Sequence, residues 1–173
     1  MKSFLVCLLI LISNSSFARY QKPEEASHRF TNLKQYFKVF KDGSFKGVEE
    51  REVEILNEAG RKDYGVIKLY YTPNTGSVQV QEAYGITNGV KQVVSKEMIE
   101  DKAVASSAAG FDNSNQIIIN FPDVKVGSKI YLKYAFEKKI PSLKNFFSTT
   151  EFFGWRENIE KQNLFIESEL DLK

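Results

Sequence analysis

Cysteine and histidine are almost absent from this chain, and their scarcity limits the chemistry it can perform. The 173 residues include one cysteine and one histidine. Cys7 lies in the first apolar stretch, so the rest of the chain has no disulfide, thiolate nucleophile or cysteine-ligated metal. His28 lies in a polar N-terminal segment, whereas a catalytic base is normally held inside a packed cleft. We therefore predict no catalytic residue, no metal and no cofactor.

An excess of charge of either sign is also absent. The chain has 24 lysines and arginines and 22 aspartates and glutamates. Lys2 is the one charged residue in positions 1–18, which leaves 23 (24 − 1) basic and 22 acidic residues in the remainder. Nucleic acids and anionic membranes are bound by basic patches. The overall balance predicts no nucleic-acid partner and no stable membrane insertion.

The first 18 residues have the features of a secretory signal peptide. Lys2 supplies a short positive region, residues 4–12 are apolar, and Ser-Phe-Ala at 16–18 resembles a small-x-small cleavage site. The apolar stretch is shorter than the roughly 20 residues that span a bilayer. We predict that residues 1–18 are removed and that the protein is exported, to the periplasm or the extracellular space.

The clearest secondary-structure pattern is a strand that begins near Lys129. Side chains alternate there between two faces, with Ile130, Leu132, Tyr134 and Phe136 on one and Lys129, Tyr131, Lys133 and Glu137 on the other. Period-two alternation rich in β-branched and aromatic residues is typical of a half-buried strand. Asp-Gly at 42–43 and Asn-Gly at 88–89 predict two hairpins, because both central residues of a type I′ turn need positive φ.

Further strands are predicted at residues 36–41, 45–56, 64–71, 78–87, 90–99, 117–119 and 159–172. The segment 45–56 carries more charged than apolar residues, which suits a sheet edge or a sheet with one wet face. About eight short strands without alternating helices predict an all-β fold, an antiparallel β-sandwich. A closed β-barrel is the alternative.

The domain organisation follows from the same patterns. Residues 19–35 are polar, contain Pro23 and show no sustained periodicity, so we expect a flexible N-terminal lead. Residues 36–173 form the β-sandwich module. Because the alternation of the last strand still continues at Lys173, we expect the module to be cut short or followed by a further domain.

Several short motifs occur in a recognisable order. They are Lys41-Asp42-Gly43-Ser44, Tyr70-Tyr71, Thr87-Asn88-Gly89-Val90, and a stretch from Phe121 to Ser128 that is followed by Tyr131-Leu132-Lys133-Tyr134. In this order, over residues 36–173, the chain resembles a domain of unknown function found at the N-terminus of bacterial transglutaminase-like proteins. The resemblance implies a β-sandwich preceding a transglutaminase-like or cysteine-protease-like domain. The Cys, His and Asp of that catalytic domain have no counterpart here.

An aromatic segment is the candidate interaction surface. Its residues are Phe146, Phe147, Phe152, Phe153 and Trp155. Adjacent aromatics on an extended segment point to opposite faces, so each Phe-Phe pair leaves one ring outward unless the segment plugs the end of the core. Trp155 also offers a ring on which a sugar can stack.

The expected function is therefore that of a non-catalytic accessory module. It would pack against, or present substrate to, a neighbouring transglutaminase-like domain or protein partner in an exported bacterial protein. The alternative is a stand-alone β-sandwich that binds a glycan or a peptide. We predict that the chain is not an enzyme.

Overall fold

A computed structural model describes residues 25–104, 113–151 and 158–171 of the chain. These residues contain nine strands, one α-helix and a short 3₁₀ turn at 96–98. The elements are β1 (His28–Val39), β2 (Phe45–Ile55), α1 (Glu58–Tyr64), β3 (Val66–Tyr71), β4 (Gly76–Thr87), β5 (Val90–Val93), β6 (Ile99–Ala103), β7 (Asn115–Asn120), β8 (Lys129–Lys138) and β9 (Gln162–Ser168).

The strands form two sheets. One has six strands in the order β5-β4-β8-β2-β1-β9, and the other has three in the order β3-β7-β6. All neighbouring strands are antiparallel except β1 and β9, which are parallel. The sheets share one apolar core and do not close into a barrel. The predicted β-sandwich is confirmed, and the barrel alternative is wrong.

The core is centred on β8. Ile130 and Leu132 have exposed fractions of 1% and 0%, as the alternation of this strand predicted. Ile130 lies opposite Val53 of β2 in the register. Across the sandwich, Ile119 of β7 is also fully buried and belongs to the same cluster. The two central strands of the larger sheet, β8 and β2, and the middle strand of the smaller sheet, β7, thus supply much of the interior.

The N-terminal segment differs from the prediction. β1 begins at His28, so the later part of the expected flexible lead 19–35 is a strand paired with β2. A β-bulge between Phe30 and Asn32 shifts the register and interrupts the period-two pattern in the sequence. The polar character of this segment also has a structural reason, because Lys34 pairs with Glu50 on the outer face.

The charged strand β2 is an interior strand, not an edge. It lies between β8 and β1, and its outward face carries Glu50, Glu52 and Glu54. Basic side chains of both neighbouring strands pair with these carboxylates, including Arg29 with Glu54 and, at 3.9 Å, Lys129 with Glu52. The other interpretation of this charge, a sheet with one wet face, is the correct one.

The two predicted hairpins have different turns. Asn88 and Gly89 both have positive φ, of 52° and 78°, as a type I′ turn requires. In the first hairpin only Gly43 has positive φ (89°), and its N–H donates to the carbonyl of Phe40. This turn therefore follows the pattern of a type I turn that ends in a left-handed glycine.

Three predicted strands are also corrected. Alternation in the sequence puts Val78, Val80, Tyr84 and Ile86 on one face. A second bulge, between Val80 and Glu82, instead moves Tyr84 to the outer face, whereas Val78 and Val80 pack against the core. The predicted strand 90–99 is interrupted after Val93 by the 3₁₀ turn, and the chain then enters the other sheet as β6. The last predicted strand, 159–172, is shorter in the structure, where β9 spans residues 162–168.

The short helix α1 was not predicted. Asn57 caps its first turn, because its side-chain oxygen accepts hydrogen bonds from the N–H groups of Ala59 and Gly60. In the sequence Asn57 and Gly60 suggest a turn. None of the helices in the described part of the chain is both long and apolar enough to cross a membrane.

We expect Leu132→Ala to lower the free energy of unfolding by about 2–5 kcal/mol, because it leaves a cavity where a side chain is fully buried. Val93→Ala is the matched control, since Val93 is 65% exposed. This variant should stay within about 0.5 kcal/mol of the wild type. Urea unfolding followed by circular dichroism measures both, and equal losses in the two variants would contradict the assignment of the core.

Candidate functional site

The inward face of the six-stranded sheet changes along its length from aliphatic to charged and then to aromatic side chains. Beyond the aliphatic core, the same face of β2 carries Arg51 and Glu49, which lie opposite Leu132 and Tyr134 of β8. The Arg51 Nε lies 3.2 Å from a carboxylate oxygen of Glu49, and these side chains are only 18% and 14% exposed. A half-buried ion pair therefore separates two apolar regions of one face.

Neighbouring polar groups complete this cluster. The Nε2 of Gln35 donates to Glu49 at 3.3 Å and to Glu151 at 3.0 Å. The Arg51 guanidinium lies 5.5 Å from the centre of the Tyr134 ring. Burial, followed by the charge of Glu49, raises the pKa of Tyr134, so this phenol stays protonated well beyond neutral pH.

The contacts of this cluster connect three neighbouring strands. The carboxylate of Glu49 is shared between Arg51 and Gln35, and Tyr134 is held neutral. A general base needs a pKa near the working pH and access to a substrate proton. The raised pKa of Tyr134 does not meet the first condition, and the contacts of the cluster join β1, β2 and β8.

Beyond the ion pair the face becomes aromatic. The ring centre of Phe37 lies 5.4 Å from that of Phe136, and Phe45 lies 5.2 Å from Phe147 in an edge-to-face arrangement. Phe37 and Phe147 are 5.9 Å apart. Such pairs contribute beyond the burial of their area. The segment of Phe147 thus covers the part of the sheet that the smaller sheet does not reach.

The structure separates the residues of the candidate interaction surface. Phe147 packs inward on Phe45, whereas Phe146 is 55% exposed. Phe152, Phe153 and Trp155 lie outside the described residues. The other side chain singled out in the sequence, His28, begins β1, and its ring lies 4.5 Å from that of Tyr64.

A second exposed apolar surface lies along β9. Phe165 is 57% exposed, Ile166 is 37% exposed, and Tyr36 of β1, the register partner of Phe165, is 38% exposed. We call these three residues the β9 edge strip. Among the described residues no strand pairs with the outer edge of β9. On the inward side, Ile166 and Phe146 both line a cleft of about 720 Å³.

A carboxylate latch holds β9 in place. One oxygen of Glu167 accepts a hydrogen bond from the hydroxyl of Tyr36 at 2.6 Å, and the other accepts one from the ammonium of Lys38 at 2.7 Å. The bond from Lys38, and then that from Tyr36, lowers the pKa of Glu167. The N–H of Glu169 also donates to the carbonyl of Val39. Side-chain and backbone bonds therefore fasten the edge strand to β1.

The sequence did not predict the β9 edge strip, although it did predict a strand with alternating apolar residues over this segment. Leu164 and Ile166 were assigned to an alternating strand, but its position at a sheet edge depends on a parallel pairing with β1 that no local pattern reports. The Glu49–Arg51 pair had a clearer indication. In the predicted strand 45–56, Val53 is one of the few apolar residues and therefore an inward candidate, and Arg51 and Glu49 lie two and four positions before it on the same face.

Metal binding finds no support in the described residues. In residues 25–104, 113–151 and 158–171 there is no group of three or more His, Cys, Asp or Glu side chains that could hold a metal ion.

Comparison with known proteins gives a family and a fold. A family model described as a Domain of Unknown Function with solved-structure structure (DUF3857) matches residues 41–168. No curated protein matches the chain.

Three solved structures are similar in part. A putative protease from Parabacteroides distasonis has 15% identity and a TM-score of 0.58, over 67% of this chain and 24% of its own. An M1 zinc metallopeptidase from Deinococcus radiodurans has 15% identity and a TM-score of 0.35, over 71% and 22%. Native yeast LTA4 hydrolase has 12% identity and a TM-score of 0.32, over 70% and 17%. The first similarity concerns the fold alone, and this chain spans about a quarter of that structure.

We expect the attachment of β9 to depend on pH through Glu167. Its folded pKa lies below the ordinary value of 4.5, so its contribution is complete above that value and is lost as the pH falls through the folded pKa. Amide hydrogen exchange of residues 162–168, corrected for intrinsic rates, should therefore lose protection on acidification.

The variant Glu167→Gln should lower this protection at neutral pH and remove the part that depends on pH. Glu100→Gln is the matched control, because Glu100 is an exposed carboxylate paired with Lys102 at 2.9 Å on the other sheet. If the wild type and Glu167→Gln show the same acid profile in β9, the latch does not act as described.

Proposed function

Because the chain belongs to the DUF3857 family, we propose that it is a non-catalytic accessory module of an exported bacterial protein, and that it packs through the β9 edge strip against a transglutaminase-like or protease-like neighbour. The matched region, residues 41–168, runs from the first hairpin to the end of β9. The observation that carries the proposal is the exposed apolar surface at that edge.

The composition of β9 supports an occupied edge. Solvent-exposed edge strands are usually protected by lysine, proline or unpaired charge, which discourage pairing with other chains. β9 contains neither lysine nor proline, and its middle is Leu164-Phe165-Ile166. Its one charged residue, Glu167, is bound by Tyr36 and Lys38. An edge of this kind suits a partner that covers it.

The fold similarity is consistent with a module inside a larger protein. The Parabacteroides protein is described as a putative protease, and the part similar to this chain is 24% of its length. A β-sandwich of this kind therefore occurs there beside other parts of a chain. The resemblance to domains that precede transglutaminase-like domains agrees with this arrangement.

The mechanism of such a module is burial of surface. A partner strand along the outer edge of β9 covers Phe165 and Tyr36 on the outward face and Ile166 on the inward face. It removes this apolar area from water, which favours association. Lys38 and Glu167 border the strip and supply a polar rim that sets the register of the partner. In this proposal the module orients its neighbour, and the neighbour carries the catalytic residues.

We expect Phe165→Lys to weaken binding to the proposed partner, a transglutaminase-like or protease-like domain, by roughly tenfold or more, since it places a charge in an apolar contact. Isothermal titration calorimetry with the purified domain measures the effect. Val93→Lys is the matched control, because Val93 is an equally exposed residue on the outward face of β5, the opposite edge of the same sheet.

Two results would overturn the proposal. One is an equal loss of affinity in Val93→Lys, and the other is the absence of binding by the wild type. Binding of a glycan or peptide by the isolated chain, unchanged in Phe165→Lys, would instead favour a stand-alone binding module.

A further inference from the structure

Charge and apolar surface are concentrated in one loop at the end of the sandwich. Residues 138–147, here called the lysine–apolar loop, have the sequence Lys-Lys-Ile-Pro-Ser-Leu-Lys-Asn-Phe-Phe. It includes three lysines and no acidic residue, and the next acid along the chain is Glu151. The balanced charge of the whole chain therefore conceals a local positive segment.

The backbone of this loop is fastened to two neighbouring turns. The N–H groups of Lys139 and Ile140 donate to the carbonyl of Thr75, at 2.8 and 3.2 Å. Further on, the N–H of Asn145 donates to the carbonyl of Asp42 at 2.8 Å. The loop is thus attached at its start to the turn between β3 and β4, and near its end to the first hairpin.

Close packing adds a third attachment. A Cβ placed on Gly43 would lie 2.6 Å from the carbonyl oxygen of Phe146, so the loop rests directly on the hairpin backbone. The adjacent ring of Phe147 is inserted between Phe45 and Phe37. The path of the loop is therefore fixed by contacts at both ends.

Three apolar side chains of this fixed loop remain in solvent. Ile140 is 56% exposed, Leu143 is 62% exposed and Phe146 is 55% exposed. Lys139 and Lys144 are exposed beside them. Because the backbone is held at three places, these apolar side chains cannot turn inward without breaking those contacts.

The charges next to the loop leave its lysines accessible. The carboxylate of Asp42 accepts two hydrogen bonds from Ser44, and Glu137 lies 3.8 Å from Lys139. Lys138 donates to the hydroxyl of Thr75. The ion pair of Lys139 with Glu137 is long and exposed, and Lys144 forms no ion pair within the described residues, so both ammonium groups can reach a ligand.

We propose that the lysine–apolar loop is a peripheral docking surface for an anionic phospholipid bilayer. Ile140, Leu143 and Phe146 enter the boundary between headgroups and acyl chains, and Lys139 and Lys144 pair with lipid phosphates. This contact lies on the surface of the bilayer and spans nothing. It uses different residues from the β9 edge strip, with Phe146 and Ile166 lining the same cleft, and it does not depend on the function proposed above.

The composition of the loop favours a lipid surface over a protein partner. Protein interfaces are enriched in tyrosine, tryptophan, phenylalanine, methionine and arginine and are depleted in lysine, so the three lysines of this loop, and not its phenylalanines, distinguish it. Lysine suits a membrane surface, because its aliphatic stem covers apolar area while its ammonium reaches the phosphates. In this loop phenylalanine, leucine and isoleucine are combined with lysine alone.

Sedimentation with lipid vesicles tests the proposal. The chain should bind vesicles that mix phosphatidylglycerol with phosphatidylcholine more tightly than vesicles of pure phosphatidylcholine, and added salt should weaken the difference. Lys139→Gln combined with Lys144→Gln should reduce binding to the anionic vesicles by roughly fivefold for each lysine removed. Ile140→Ser, Leu143→Ser and Phe146→Ser together should reduce it by roughly tenfold or more.

Val90→Ser combined with Val93→Ser is the matched control, since these residues are 59% and 65% exposed on β5. It should bind as the wild type does. Residues 4–12 are apolar and are the same in every variant, so the comparison between variants, and not binding itself, tests the loop. Thermal unfolding confirms that each variant is folded.

A local probe gives a second readout. In a Cys7→Ser background, Leu143→Cys is labelled with an environment-sensitive dye, and Val93→Cys serves as its control. The emission at position 143 should shift to the blue on anionic vesicles, and that at position 93 should not. The proposal is overturned if the loop variants bind as the wild type does, if the β5 control loses as much, or if the dye at position 143 does not respond. A loop that binds an acidic protein and no membrane would give no blue shift at position 143 on anionic vesicles.

Discussion

The packing of β8 against β2 and β7 is the interaction on which the rest of the structure depends. Ile130 and Leu132 fill the space between the sheets together with Val53 and Ile119. β7 has six residues, whereas β8 has ten. The smaller sheet therefore covers only the first part of the inward face, and the second part, around Tyr134 and Phe136, needs another cover.

That need explains the arrangement beyond the core. Between the part of the face covered by the smaller sheet and the part covered by the segment from Phe147 to Glu151, β2 carries the Arg51–Glu49 ion pair in place of apolar residues. Gln35 donates a hydrogen bond to Glu151 of that segment. Farther along, Phe147 closes the aromatic cluster. Buried polar groups are tolerated when they are paired and hydrogen-bonded, and here the pairing is partial, since Arg51 Nε and Gln35 Oε1 have no hydrogen-bond partner among the described residues. The pair thus marks the boundary between a region covered by a sheet and a region covered by irregular chain.

The sequence predicts the local part of this structure and misses the non-local part. The alternation in β8 and the type I′ turn at Asn88-Gly89 depend on neighbouring residues, and both are confirmed. Two bulges change the register of β1 and β4 without any mark in composition. The parallel pairing of β9 with β1 joins residues far apart in the chain. Surfaces that depend on such pairing, such as the β9 edge strip, cannot be predicted from local periodicity.

The geometry also relates the two surfaces to each other. Because β9 runs parallel to β1, its last residue, Ser168, lies opposite Val39, immediately before the first hairpin. The lysine–apolar loop rests on that same hairpin through Asp42 and Gly43. A partner held along β9 thus extends toward the end of the sandwich where the loop lies. If the loop meets a bilayer, the same contact orients the partner with respect to the membrane, because one rigid sheet carries both surfaces.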